Sequence, residues 1–400
     1  MRRFTRMAWT AVLAAASVAA VGAGPVSGHG PERVAPGVSY RTFTVPTTHG
    51  SANVHVVEAD LRHPGVRTGL LHPGTVSARE PVSRMAGRQG AVAAVNGDFF
   101  HMVETQHPGV PATGAPSGPA VADGFALKAA VPEGQRFGWA PPSGDSAEEV
   151  FGVGTDGRAR AGRLRLEGRV RVPDGELPLG GLNQYALPVG SIGLFTSRWG
   201  SASRARAVCG TDTVRAAPCT DDAYEVTVRQ GHVVSASAKP GTGTIDADTQ
   251  ILLGRERGAE ALRGLVPGTA VEVRHHLAST APVPFRFALG AHFLVRGHRE
   301  VAGLDTRTAE PRTAVGIAGD GSTLYLLATD GREGTSTGLT VRELAGVMRS
   351  LDCADALYLD GGASSTLVTR DHTHGGTVVR NHLQQGQERR VPNGIAVFSH

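Results

Sequence analysis

The chain is nearly devoid of lysine. Only Lys128 and Lys239 are lysines among its 40 basic residues, and the arginines that make up the rest are spread along the chain rather than gathered in a run. The formal net charge is only +4. Aromatic residues make up 5% of the chain and do not interleave with basic ones, as they do on RNA-binding sheets. These absences argue against nucleic acid as a partner.

Apolar runs of membrane-spanning length are also lacking. One apolar run, at residues 8–21, follows the basic start Arg2-Arg3, and it is too short and too rich in small residues for a stable span. Small residues at 21–23 suit cleavage by a signal peptidase. We therefore expect residues 1–23 to be a secretory signal peptide and the Gly/Pro/Ser-rich residues 24–40 to be a flexible leader. The mature protein is then secreted, with no transmembrane anchor.

Cysteine is scarce, with three residues in the chain. Cys209 and Cys219 flank a short polar loop, and in an oxidising compartment they can form a local disulfide. No further ligands lie near them at a spacing typical of zinc sites. Cys353 is left over at the end of an amphipathic segment, and we expect it to be free and buried.

The most informative segment is Asp-Gly-Gly-Ala-Ser-Ser-Thr at residues 360–366, directly after the apolar run 356–359. A buried strand would here deliver the Asp360 carboxylate into a turn with few obstructing side chains. Gly361 and Gly362 allow positive φ angles and close approach of a ligand. The hydroxyls that follow can bind a polar substrate. The alternative interpretation is a glycine-rich hairpin in which the aspartate only forms the turn.

Three other segments also join a short apolar strand to polar residues. Residues 91–95 lead into Asn-Gly-Asp-Phe-Phe, which contains Asp98. Arg312 precedes a second strand, and Asn393 precedes a third. Four strand ends that carry Asp98, Arg312, Asp360 and Asn393 predict one site built on a rigid scaffold.

These segments resemble the phosphodiester glycosidase family, whose activity removes a sugar from a phosphodiester. The matching motifs are at 96–100, 311–316, 330–332 and 359–366, in the family's order. Ala363 departs from the pattern, because the family has a third glycine there. The resemblance extends in patches from about residue 50 to residue 400, and it implies a hydrolase that acts on carbohydrate or glycosyl-phosphate substrates, including cell-wall glycopolymers.

Residue types suggest how such a site would work. A phosphate monoester has its second ionisation near pKa ~6 and leaves readily, so the site needs a cation for phosphate and carboxylates near the anomeric carbon. We expect Asp98 and Asp360 to supply the carboxylates and Arg312 to bind phosphate, as the three catalytic residues. The expected substrate-binding residues are Asn96, Gly97, Gly361, Gly362, Ser364, Ser365, Thr366, Arg332 and Asn393.

Several alternatives stay open at this point. The sequence requires no cofactor, but Asp98 and Asp360 are also candidate ligands for a Ca²⁺ or Mg²⁺ ion. A serine hydrolase is disfavoured, because no Gly-x-Ser-x-Gly elbow surrounds Ser364. The main rival to an enzyme is a carbohydrate-binding or cell-wall-binding module that keeps the fold without catalysis.

The pattern of the chain predicts a β-rich α+β fold with a mixed sheet and few helices. Alternating apolar and polar residues favour many short strands. Thr340 and Glu343 form a capping box, and apolar residues repeat after it at helical spacing. We expect one domain over residues 41–400, with a small β insertion at about 205–280 that contains the cysteine loop.

Overall fold

The structure is a computed structural model that describes residues 30–138, 144–331, 336–371, 373, 375–384 and 386–400. The expected signal peptide at 1–23 and Arg332 lie outside these ranges. In the described residues, no helix has both the length and the apolar character that crossing a membrane would require.

The described chain is built mainly from strands. In chain order they are β1 (Glu32–Ala35), β2 (Val38–Thr47), β3 (Gly50–Asp60), β4 (Val66–Leu71), β5 (Ala93–Asn96), β6 (Ala120–Ala122), β7 (Phe125–Lys128), β8 (Glu149–Gly154), β9 (Ala159–Val172), β10 (Gly175–Leu182), β11 (Ile192–Phe195), β12 (Ala223–Arg229), β13 (His232–Ser237), β14 (Thr249–Arg255), β15 (Glu272–Ser279), β16 (Phe285–Gly290), β17 (His292–Arg296), β18 (Arg299–Glu300), β19 (Thr313–Ala318), β20 (Thr323–Thr329), β21 (Cys353–Tyr358), β22 (Leu367–Arg370), β23 (Thr377–Val379) and β24 (Gly394–Ser399). The predicted β-rich α+β fold is confirmed.

Three sheets contain these strands. An eight-stranded sheet has the order β1-β2-β3-β20-β19-β21-β17-β18, and a five-stranded sheet has the order β23-β22-β5-β24-β4. An eleven-stranded sheet has the order β13-β12-β14-β11-β10-β9-β8-β16-β6-β7, with β15 paired to β9. The pair β10–β11 is parallel and makes this sheet mixed, as the sequence predicted.

Each sheet is covered by one of the α-helices in the described residues. These helices are α1 (Val82–Gln89), α2 (Arg257–Arg263) and α3 (Val341–Ser350). α3 begins at the predicted capping box, in which Thr340 and Glu343 bond each other's backbone N–H groups. Its buried Leu344 and Met348 pack on the eight-stranded sheet, which holds β21 in position directly before Asp360.

One hydrophobic core joins the three sheets. Its members include Val57 and Leu326 of the eight-stranded sheet, Val95 and Ile395 of the five-stranded sheet, and Phe151 of the eleven-stranded sheet. Because the sheets share this core, the ends of β5, β21 and β24 are held at fixed relative positions.

Two expectations about chain organisation differ from the structure. Residues 32–40 were expected in a flexible leader, yet they form β1 and the start of β2, with Val34 and Val38 buried in the core. Their apolar side chains explain the ordering. The strands of the region 205–280 extend the eleven-stranded sheet, since β14 pairs with β11 and β15 pairs with β9.

Candidate active site

Asn96 connects three of the predicted motifs. Its side-chain amide donates to the backbone carbonyl of Asp360 at 2.7 Å, and its Oδ1 accepts from the Thr313 hydroxyl at 2.8 Å and from the Thr366 N–H at 3.0 Å. The Asn96 side chain has no exposed surface. We expected it to contact substrate, but the structure uses it to hold the strand ends together.

Backbone hydrogen bonds also hold the same strand ends together. The N–H of Asp360 donates to the carbonyl of Gly97 at 2.8 Å, and the N–H of Gly97 donates to the carbonyl of Asn393 at 2.9 Å. The Asn393 side chain is buried and accepts from the N–H of Asp98 at 2.9 Å. Asp98, Asp360 and Asn393 therefore lie together, as the sequence predicted, although they come from distant segments.

Asp98 is buried between two glycines. A Cβ atom on Gly290 would lie 2.6 Å from its Oδ2, and one on Gly118 would lie 3.1 Å from the same oxygen. The N–H of Gly118 donates to this Oδ2 at 2.6 Å. Glycine is needed at both positions, because a Cβ atom on Gly290 would displace the carboxylate and one on Gly118 would lie 2.5 Å from the Gly290 Cα.

Burial dominates the electrostatics of Asp98 and raises its pKa. The ammonium of Lys128, the Gly118 N–H and the guanidinium of Arg136 act against this rise. Burial lowers the pKa of Lys128, and the Asp98 carboxylate opposes that change. The carboxylate thus lies in a low-dielectric environment with two cations close by.

Asp360 is less buried than Asp98, because residue 360 as a whole is half-buried whereas Asp98 is 3% exposed. Burial by the surrounding protein is the largest influence and raises its pKa to about 6. The Ser364 hydroxyl and the charge of Arg389 lower this pKa, while the nearby Asp98 carboxylate raises it further. The Asp98 carboxylate is therefore close enough to act on Asp360.

Arg389 lies beside Asp360. Its Nη1 donates to the Ser364 hydroxyl at 3.2 Å, and its charge acts on Asp360. Part of its side chain is accessible. It lies four residues before Asn393, but sequence reasoning selected only the asparagine.

Arg312, the expected phosphate ligand, is held by the protein instead. Its Nε donates to the carbonyl of Leu339 at 2.8 Å, and its Nη2 donates to the carbonyl of Thr308 at 2.6 Å. The residue is buried, and burial lowers the pKa of its guanidinium. Its side chain lies behind the turn at Gly361, where a Cβ atom would come within 3.8 Å of the Arg312 Cδ.

In the turn at residues 360–366, only one of the two glycines has the expected positive φ angle. Gly362 has a positive φ of 60°, whereas the backbone of Gly361 is extended. A side chain at Gly361 is disfavoured for another reason, because its Cβ atom would lie 2.9 Å from the Pro311 carbonyl oxygen. Thr366 is buried, and its hydroxyl donates to the carbonyl of Ser364 at 3.2 Å. The buried hydroxyl of Ser365 has no hydrogen-bond partner in the described part of the protein.

The predicted disulfide between Cys209 and Cys219 is present, and Cys353 is free and buried. The disulfide loop packs against the long segment that carries Gly118. The ring Nε2 of His107, in that segment, donates to the carbonyl of Ala217 in the loop at 2.8 Å. The loop therefore supports one wall of the region around Asp98.

The described residues offer little evidence of a metal centre. Within them, the cluster of three ligand-type residues consists of His107, Cys209 and Cys219, and its two sulfurs already form the disulfide. Asp98 and Asp360, the expected metal candidates, face cationic side chains.

Sequence reasoning missed the buried surroundings of Asp98. Gly118 and Gly290 lie against this carboxylate, and the charges of Lys128 and Arg136 act on it. For Lys128 a signal was present, because a lysine is rare in so arginine-rich a chain. The glycines and Arg136 are common residue types here, and their sequence positions carry no comparable signal.

The fold and site define a β-rich domain with two neighbouring carboxylates at joined strand ends. The phosphodiester glycosidase family matches residues 222–398, which include Arg312, Asp360 and Asn393. Residues 222–398 therefore match the phosphodiester glycosidase family, and the resemblance predicted from the motifs is confirmed over this segment. The motif that contains Asp98 precedes the matched segment.

Solved structures share this fold. A hypothetical protein from Synechocystis has a TM-score of 0.69 at 21% identity, over 95% of this chain and 64% of that one. A protein of Burkholderia pseudomallei K96243, named "Putative exported protein", has a TM-score of 0.71 at 19% identity, over 96% and 99% of the two chains. At such identities the likeness shows the fold alone.

Two further similarities are weaker. The catalytic domain of zebrafish N-acetylglucosamine-1-phosphodiester alpha-N-acetylglucosaminidase, auto-inhibited by its pro-peptide, has a TM-score of 0.44 at 14% identity, over 94% of this chain and 88% of that one. The SPbeta prophage-derived uncharacterized protein YomE of Bacillus subtilis (strain 168) is 32% identical over 93 residues. That match covers 23% of this chain and only 13% of YomE, so the chain spans a small part of that relative.

Proposed function

We propose that this protein is an exported hydrolase that cleaves the sugar–phosphate bond of a glycosyl-1-phosphodiester. Water would attack the anomeric carbon, the bond from that carbon to the phosphate oxygen would break, and a free sugar and a phosphate monoester would be released. The observation that carries the proposal is the proximity of Asp98 and Asp360, with Arg389 beside Asp360.

Asp360 is the carboxylate better placed to meet substrate, because residue 360 is only half-buried whereas Asp98 is buried. With a pKa raised to about 6, it is ionised at neutral pH but retains basicity. It can therefore accept a proton from the attacking water or stabilise positive charge at the anomeric carbon. Asp98 adds negative charge from beneath and favours the same cationic transition state.

Arg389 replaces Arg312 in our assignment of the phosphate ligand. An arginine binds phosphate well when its planar N–H groups are free to form two parallel hydrogen bonds. The guanidinium of Arg312 is committed to two backbone carbonyls, whereas Arg389 is partly accessible. The phosphate would lie beside Ser364, between Arg389 and the turn at Gly362.

Export is the second part of the proposal. The basic start, the apolar run at 8–21 and the disulfide between Cys209 and Cys219 support it. The name of the Burkholderia structure points in the same direction. N-terminal sequencing of protein recovered from the culture medium tests this part, and retention of the full chain inside the cell would contradict it.

Hydrolysis of an aryl glycosyl-1-phosphodiester in ¹⁸O-labelled water tests the activity. We expect free sugar that carries the label and aryl phosphate that does not, because the sugar–oxygen bond breaks. Asp360→Asn should lower kcat at least about a hundredfold, the scale of a lost acid–base or electrostatic group. Asp352→Asn is the matched control, since Asp352 is exposed and lies just before the opposite end of the same strand.

Other outcomes would reject the proposal. Label in the phosphate would indicate cleavage of the phosphorus–oxygen bond. Undiminished hydrolysis by Asp360→Asn would make the Asp360 turn structural. Binding of the phosphodiester without turnover would favour the carbohydrate-binding or cell-wall-binding module.

A further inference from the structure

Lys128 is a lysine without solvent contact. Its side chain has no exposed surface, and its Nζ donates to the carbonyls of Ser117 at 3.2 Å, of Gly118, and of Ala129 at 2.5 Å. A buried ammonium is costly unless its charge and its N–H groups are compensated. Three carbonyls satisfy its three donors, and the compensating negative charge is that of Asp98.

A single peptide unit connects Lys128 to Asp98. The carbonyl of Ser117 accepts from the Lys128 ammonium, and the N–H of the same peptide unit, which belongs to Gly118, donates to Asp98 Oδ2 at 2.6 Å. A hydrogen bond to a carbonyl polarises its peptide and strengthens the bond donated by the N–H at the other side. The ammonium therefore acts on the carboxylate without direct contact.

We propose that Lys128 is a positioning residue that acts on Asp98 through the Ser117–Gly118 peptide, fixing the carboxylate oxygen and favouring its ionised form. The assignment of Asp98 to the reaction rests on the proposed function, but the coupling of Lys128 to Asp98 does not. Lys128 lies outside the four family motifs at 96–100, 311–316, 330–332 and 359–366.

The small space beside residue 128 favours lysine over arginine. A cavity of about 20 Å³ lies beside Lys128 and is lined also by Asn393, His72 and Pro116. This volume holds about one water molecule. The three carbonyls surround one compact ammonium group. The guanidinium of arginine, the usual basic residue of this chain, is larger and planar and does not match this arrangement.

Other charged or titratable groups face Asp98 as well. Arg136 lies in the segment before β8, and its charge lowers the pKa of Asp98. Asp360 is also near, and the Asp98 carboxylate raises the pKa of Asp360. Tyr185 follows β10, and burial together with Asp98 raises the pKa of its hydroxyl. Lys128 lowers the pKa of Asp98 more than Arg136 does.

The scarcity of lysine allows a direct test on the unmodified chain. Protein labelled with ¹³C and ¹⁵N only in lysine has two side-chain signals, and Lys239→Met assigns them. We expect the Lys128 signal to shift as Asp98 titrates and this step to vanish in Asp98→Asn, while exposed Lys239 shows neither. A Lys128 signal that is identical with and without Asp98 at every pH would overturn the proposal. This test needs no catalytic activity.

A second test follows the pH dependence of hydrolysis. In Lys128→Met, the acidic limb of the kcat/KM profile should move to higher pH by about one unit, with activity recovering above it. A merely structural role would lower activity by the same factor at every pH, and that result would overturn the proposal. Lys239→Met is the matched control and should leave the profile unchanged.

The two tests separate the possible failures. If the wild-type protein does not hydrolyse glycosyl phosphodiesters, the proposed function fails, and the lysine spectra still decide whether Lys128 and Asp98 are coupled. If Lys128→Met does not fold, the spectra of the wild-type and Asp98→Asn proteins decide the same question.

Discussion

The side-chain amide of Asn96 donates a 2.7 Å hydrogen bond to the backbone carbonyl of Asp360, across 264 positions of sequence. This bond joins the end of β5 in the five-stranded sheet to the second residue after β21 in the eight-stranded sheet. The candidate site therefore lies where two sheets meet, and its geometry depends on a buried polar network.

The first prediction concerns Asn96 itself. Asn96→Ala removes the partners of Thr313, Thr366 and the Asp360 carbonyl, and it should lower the free energy of unfolding by about 2–4 kcal/mol. Urea denaturation followed by fluorescence measures this loss. If stability were unchanged and only KM rose, Asn96 would contact substrate, as the sequence had suggested.

The second prediction is that Asp360→Asn stabilises the protein at neutral pH. The folded state raises the pKa of Asp360 to about 6, above its ordinary value of 3.8, so it binds the proton more tightly than the unfolded state does. The associated stability is present below pH 4 and is lost as the pH rises through about 6. We therefore expect a higher Tm for Asp360→Asn at pH 7.5 and little difference at pH 4.

Asp320 offers a control of opposite sign for this measurement. Its hydrogen bond with exposed Arg158 lowers its pKa to about 2, so its contribution is present at neutral pH and lost in acid. Asp320→Asn should not raise the Tm at pH 7.5. Equal effects of the two substitutions would show that burial of Asp360 is not the cause.

The third prediction distinguishes two arginines. Arg389→Gln should raise KM for a glycosyl phosphodiester about 10-fold to 100-fold with little change in Tm, because a charged hydrogen bond to the phosphate is lost. Arg312→Gln should mainly destabilise the fold, by about 2–4 kcal/mol, because the Thr308 and Leu339 carbonyls lose their donors. A reversed pattern would restore Arg312 as the phosphate ligand.

The fourth prediction concerns the disulfide. Cys209→Ser with Cys219→Ser should lower the free energy of unfolding by about 3 kcal/mol, from the entropy of the short loop that the bridge closes. Thermal unfolding measures the change. Under non-reducing conditions, mass mapping should show Cys209 linked to Cys219 and Cys353 alkylated only after unfolding. A bridge to Cys353 would contradict the assignment.

The fifth prediction is that activity survives removal of metal ions. Lys128 and Arg136 lie near Asp98, and Arg389 lies near Asp360. The negative charges of both carboxylates are therefore already balanced by positively charged side chains. A divalent ion would be repelled by these side chains. Dialysis against EDTA should leave kcat unchanged, and a loss that Ca²⁺ or Mg²⁺ restores would show that the two aspartates hold an ion.

The sequence alone determined those features that depend on neighbouring residues. Apolar runs followed by polar residues indicated where β5 and β21 end, and so marked Asp98 and Asp360. The capping box at Thr340 and the cysteine pair are short-range signals too, and both predictions were correct. The alternation of apolar and polar side chains was sufficient for the β-rich fold class because it reflects burial on one face of a strand.

Only the tertiary structure decided which side chains surround the carboxylates. Gly118 and Gly290 lie against Asp98 from separate segments, and Lys128 bonds the Ser117 carbonyl behind the Gly118 N–H. Arg312 and Arg389 look equally suited to phosphate in the sequence, and only their packing distinguishes them. The physical reason is that strand pairing and core packing, which act between residues far apart in the chain, determine the partners of each polar group and the charge it carries.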